Sequence, residues 1–330
     1  MMELDQACRE VRPPSESAVA DGRARLLAAA RESAPVRRRP ARTVVRLAVV
    51  GVAAATAVTG ITVAENLTST DKDGRPRPIV PHGPVANAAE LLDRAAIAAD
   101  ARAGRAPRPD QWIYVEHTQL ITPVGTRVSG PKTRLTRRTE RTWWRADGRQ
   151  IARTFGNGTR PQIENGGGGW KHHYPTLASL PADPARLADA IVAKGLVHGL
   201  AEAKGEERAA TLYGEYTAIL RNGVAPPKLE AAIFRAISAL PGVTLDRRSV
   251  DLIGRPAITV GRIVEGYLRT EVMIDPNTYA YLGERIVVIK DHASSGTDGT
   301  WSTKTGAVLN LETRTASGRF VDRPGEVPTR

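Results

Sequence analysis

Residues 47–64, LAVVGVAAATAVTGITVA, form an uncharged stretch of about 18 residues, and counting back through Arg46 to Val44 extends it to about 21. At 1.5 Å rise per residue it spans roughly 27 to 31 Å, which matches a bilayer hydrocarbon core of about 30 Å. Arg46 stands at the near end, where its side chain can snorkel to the headgroups. Thr56, Thr59 and Thr62 are tolerable inside such a span, because a threonine hydroxyl can bond back to a carbonyl one turn earlier. Upstream lie Arg37, Arg38, Arg39, Arg42 and Arg46; downstream comes ENLTSTDKDG, nearly balanced in charge. The positive-inside rule then places the N-terminus in the cytoplasm and residues 65–330 outside. Two rival readings are weaker. A buried core helix has no neighbours here to bury it. A cleaved signal peptide, suggested by Thr62-Val63-Ala64, does not carry about 45 residues ahead of its apolar run.

The expected organisation is a basic cytoplasmic tail over residues 1–43, a transmembrane helix over 44–64, a Pro/Gly-rich linker over 65–86 and an extracytoplasmic domain over 87–322. The tail carries one weakly amphipathic helix, about Ser17 to Arg31. Its basic run suits anionic lipid heads. The formal net charge of +12 invites a nucleic-acid reading, but the arginines are spread along the chain without interleaved aromatics, so no nucleic-acid partner is expected. A single cysteine, Cys8, excludes an internal disulfide framework and a multi-thiolate zinc site.

The domain opens with a helix over about Ala88 to Ala103. WIYVEHTQLI follows as a strand, and then TRRTERTWWRA and RQIARTF, joined by the hairpin signal Asp147-Gly148. A helix begins at Asp183-Pro184, a second covers about Glu206 to Arg221, and a third starts at Pro226-Pro227 with Leu229, Ile233, Ile237 and Leu240 on one face. The last third reads as strands: VTLDRRSVDLI, AITVGRIV, YLRTEVMI, YLGERIVVI and GAVLNLETRT, with Asp275-Pro276-Asn277 as a type I turn. Consecutive strands on short turns imply an antiparallel sheet, and the order helix, strands, helices, strands gives the α+β class.

Few groupings carry chemistry. His172-His173 sits beyond the glycines of NGGGGW, and adjacent residues on a strand point apart, so a polar loop is favoured over a metal site. Asp291, His292, Ser294 and Ser295 supply the residue types of a triad. They lie in one Gly/Ser segment expected to be irregular, whereas triads converge from separate elements. NGGGGW lacks the Lys-Ser/Thr of a phosphate loop. Trp112, Tyr114, Trp143, Trp144 and Trp170 are the candidate ligand-binding group: they either line an apolar groove for a lipid or an extended peptide, or fill the core. Trp143 and Trp144 must face opposite ways if they share a strand, which predicts that one is partly exposed. No catalytic residue, metal ligand or cofactor is assigned.

PRPDQWIYVE after the Ala-rich helix, and DPNTYAYLGERIVV later, resemble two segments of a family of uncharacterised membrane proteins from high-GC Gram-positive bacteria. In that family a short Arg-rich tail and one membrane span precede such a domain, and members are often encoded beside an extracytoplasmic-function sigma factor. The resemblance implies a part in sigma-factor signalling, with the membrane and a cytoplasmic sigma factor or other regulator as partners. The element order is also similar to the half-barrel of lipoprotein-localisation factors, a curved antiparallel sheet crossed by helices. Zinc-containing anti-sigma domains, in contrast, need a histidine and paired cysteines, and the tail has only Cys8. The expected function is a membrane-anchored, non-enzymatic accessory or sensor protein with an extracytoplasmic domain that binds a ligand or partner. The alternatives are an envelope lipid or lipoprotein carrier and, third, an extracytoplasmic hydrolase.

Overall fold

Asn87 decides where the first helix begins. Its side chain accepts from the Glu90 amide at 2.9 Å, while the Glu90 carboxylate reaches back to the Ala86 amide at 2.6 Å, so two otherwise orphaned donors are satisfied. The computed structural model describes residues 68–70, 76–78 and 84–328, apart from 103–104, 156–157, 159, 167–170 and 297–298. The expected tail and transmembrane helix, residues 1–64, lie outside the described residues. Among the described residues, no helix is long and apolar enough to cross a membrane.

A two-residue-period chain cannot hide both faces unless something covers each. Here nine strands form one antiparallel sheet in the order β7-β6-β5-β3-β14-β11-β10-β9-β8. They are β3 (Trp112–Ile121), β5 (Thr136–Arg145), β6 (Gln150–Phe155), β7 (Gln162–Asn165), β8 (Thr244–Val250), β9 (Pro256–Val264), β10 (Leu268–Ile274), β11 (Tyr281–Val288) and β14 (Val308–Val321). The long last strand, β14, inserts between the two halves and pairs antiparallel with β3 and with β11. A short sheet of β4 (Val128–Ser129), β12 (His292–Gly296) and β13 (Gly299–Thr303) stands beside it, and β1 (Thr68–Thr70) pairs with β2 (Pro76–Pro78).

The described helices are α1 (Ala88–Asp100), α2 (Tyr174–Ala178), α3 (Pro184–Ala193), α4 (Gly205–Asn222) and α5 (Pro227–Ser238). Together with Ile113 and Val115 of β3, Trp144 of β5, Ile151 of β6 and Val260, Val272 and Ile274 of β9 and β10, they build one continuous core on one face of the sheet. The α+β expectation with a large, curved antiparallel sheet holds.

The polar segment at His172-His173 is a turn that leads into the short helix α2, which His173 caps, its ring accepting from the Thr176 amide at 3.4 Å. Two local expectations need correction. The Gly/Ser segment after Asp291 pairs in register as the hairpin β12–β13, from His292 opposite Thr303 to Gly296 opposite Gly299. The Asp275 turn is longer than a four-residue type I turn. Asp275 Oδ1 accepts from the Asn277 and Thr278 amides, its carbonyl accepts from Tyr279, and Tyr279 takes φ 55° to close the loop.

Candidate functional site

Antiparallel pairing brings Glu284 of β11 directly opposite Glu312 of β14, and both are buried. The strands approach closely because residue 283 is glycine: a Cβ there would collide with the Glu312 carbonyl oxygen. Gln119 Nε2 donates to Glu312 Oε2 at 2.8 Å, and His117 Nδ1 lies 3.7 Å from Glu312 Oε1. Arg221, at the end of α4, donates to Glu284 Oε2 at 3.4 Å. Burial, reinforced by the neighbouring Glu284, pushes the Glu312 carboxyl up to about 7. Burial also raises Glu284, against the attraction of Arg221. The same desolvation, with the arginines 314 and 221 nearby, lowers His117 to about 3. Burial therefore works against charge here, favouring the protonated carboxyl of Glu312 and the neutral imidazole of His117.

Next along the same strand, Arg314 is 8% exposed beneath the helices. Its guanidinium donates to the Leu220 carbonyl at 2.9 Å and the Tyr281 carbonyl at 3.4 Å, and it lies 4.5 Å from the centroid of the Tyr281 ring. The Leu220 carbonyl belongs to the last turn of α4, where the helix ends at Gly223 with φ 67°, so the arginine sits at a partial negative charge. Burial lowers its pKa, with Glu230 acting in the opposite sense.

Above Arg314 opens a cavity of about 470 Å³, within the size range of small-molecule sites. Ile113 and Phe320 come from the sheet, Val224, Ala225, Pro226 and Pro227 from the α4–α5 turn, and Tyr174 from α2. Arg102, Arg105, Arg314 and Glu230 are its charged groups, and Arg102 Nη2 pairs with Glu230 Oε1 at 2.8 Å. Among the described residues, no carboxylate lies within ion-pair distance of Arg105 or Arg314.

The candidate aromatics separate. Trp112, Tyr114 and Trp143 cluster with Ala152 and Val321 on the face away from the helices, and Trp143 Nε1 donates to the Glu326 carbonyl at 2.8 Å. Tyr114 and Trp143 meet at 5.3 Å between centroids. Trp144 belongs to the helix-side core. Trp143 and Trp144 do face opposite ways, yet both are buried, at 1% and 9%, because the C-terminal segment covers the face that was expected to be open. Trp170 lies outside the described residues, as do Arg37, Arg38, Arg39, Arg42 and Arg46. None of the four described aromatics lines the cavity.

The triad types also stay apart in role. Asp291 accepts from Lys304 Nζ at 3.0 Å and from the Thr305 amide at 2.8 Å, His292 stacks on Tyr267 at 3.8 Å, and Ser295 bonds Thr300. His172 pairs with Glu215 at 2.7 Å and with Asn222 at 3.0 Å, holding the segment before α2 against α4. Among the described residues, no three His, Cys, Asp or Glu side chains converge as metal ligands would.

Reading the sequence alone misses His117, Glu284, Glu312, Arg314 and the cavity. In VLNLETRT the apolar parity favours Leu309 and Leu311 for the core and leaves Glu312 and Arg314 for solvent. The structure does the reverse, because the polar parity faces the end of α4. The available signal was a strand whose two polar parities, in WIYVEHTQLI and in VLNLETRT, had to meet across a pairing. Comparison with protein-family models and with curated proteins finds no match to this chain.

Proposed function

We propose that this chain is a membrane-anchored, non-enzymatic accessory or sensor protein whose folded domain binds a ligand through the cavity beneath the α4–α5 turn. One observation carries the reading: a cavity of about 470 Å³ joins apolar walls to a few convergent charged groups. The hydrolase alternative is weakened by the commitment of Asp291 to Lys304 and Thr305. The carrier alternative needed a groove lined by the named tryptophans, and the four described aromatics are split between two faces. The anchor itself rests on residues 44–64 and the arginines before them, and a link to a sigma factor rests on resemblance. The test is to place a bulky side chain in the cavity, Ala225→Trp, in full-length protein. Filling the cavity is expected to abolish the thermal shift given by any small molecule that stabilises the wild type. A stabilising ligand that shifts the variant equally would place binding elsewhere and end this reading.

A further inference from the structure

We infer that the cavity takes a small carboxylate with an apolar body, its head on Arg314 and Arg105 and its body on Ile113, Tyr174, Val224 and Phe320; this rests on the cavity being the ligand site. Charge decides it. A buried guanidinium away from water is costly unless an anion or several acceptors meet it. Arg314 has five N–H donors, and its two observed hydrogen bonds both go to main-chain carbonyls. Arg105 stands at the rim without a counter-ion among the described residues, and the one acid in the lining, Glu230, is taken by Arg102. Three arginines against one glutamate leave the cavity two positive charges in excess, which favours an anionic head: one carboxylate offsets one of them, and its two oxygens can meet both guanidiniums.

The planar fork of a guanidinium matches a carboxylate in geometry, whereas an ammonium head would be repelled. The rest of the lining offers few polar partners: proline, alanine, valine, isoleucine and phenylalanine side chains form the walls, and the Tyr174 hydroxyl is the polar exception. A second ligand charge placed away from the arginines would therefore find few partners, whereas an apolar body would meet the walls.

The experiment uses the full-length chain in lipid nanodiscs, with empty nanodiscs as reference, titrated calorimetrically with octanoate, octan-1-ol and octylammonium. Octanoate should bind saturably, octan-1-ol at least about ten-fold more weakly, and octylammonium not at all. Arg105→Gln, at an exposed position, should weaken octanoate by about three- to ten-fold and leave octan-1-ol unchanged. Phe320→Ala should weaken both. Arg314→Lys retains charge without the fork and should still lose octanoate affinity. Octan-1-ol binding as tightly as octanoate, with Phe320→Ala weakening both, would overturn the carboxylate inference while leaving the cavity a ligand site. Octanoate binding that neither Arg105→Gln nor Phe320→Ala changes would overturn both.

Discussion

His117 and Glu312 face each other 3.7 Å apart with opposite tendencies, and their opposition makes a distinctive pH signature. Glu312 rises in the folded state from its ordinary value of 4.5 to about 7, so its contribution is fully present below about pH 4.5 and is lost as pH rises through about 7. His117 falls from 6.5 to about 3, so its contribution is present above 6.5 and is lost as pH falls toward 3. Between about pH 4.5 and 6.5 the folded pair holds one proton and so does the unfolded chain, and the two slopes cancel. The contribution of this pair to wild-type stability should be nearly flat across that window. Glu312→Gln should uncover the histidine and gain roughly 2–3 kcal/mol from pH 4.5 to 6.5, while His117→Gln should lose a similar amount. Urea titrations at the two pH values check this. Slopes of the same sign in both variants would show that the groups are not opposed.

Among the elements, α1 and the β11–β14 pair show what single positions decide. Asn87→Ala removes the acceptor for the Glu90 amide and should cost about 1 kcal/mol, read as a lower midpoint in chemical denaturation. Gly283→Ala should cost more, about 3 kcal/mol or greater, because its Cβ would meet the Glu312 carbonyl and push the central strands β11 and β14 away from each other. A Gly283→Ala protein as stable as the wild type would mean that β11 and β14 can separate without loss. The helices and strands were legible because their periods and caps are local: Leu229, Ile233 and Ile237 lie on the buried face of α5, and Asp183 accepts from the Ala185 amide as its position before proline foretells. The insertion of β14 between β3 and β11 was not legible, since it depends on pairing nearly 200 residues apart in sequence. Without that pairing, Glu284, Glu312 and Arg314 look like separate surface charges. Their burial follows only once the sheet order is known.

At the scale of the whole molecule, the segment after β14 covers part of the sheet face that lies away from the helices. Trp112, Tyr114, Trp143 and Val321 form an apolar patch that a nine-stranded sheet would otherwise show to water. Residues after β14 turn back across it: Glu326 accepts from Trp143 Nε1, its carboxylate accepts from the Asp322 amide at 3.2 Å, and Asp322 pairs with Arg108 at 2.9 Å. The surface ion pair contributes little, so the cover is held chiefly by burial and by the indole hydrogen bond. Deleting residues 322–330 should therefore leave the helix-side core intact while exposing Trp143. The expected readout is a red-shifted tryptophan emission, stronger acrylamide quenching, and a loss of about 1–3 kcal/mol in stability. Trp143→Phe in the full-length chain separates the hydrogen bond from the packing, and should lose only about 1 kcal/mol. If the truncated chain keeps the emission and quenching of the intact one, the C-terminal segment is not what shields Trp143.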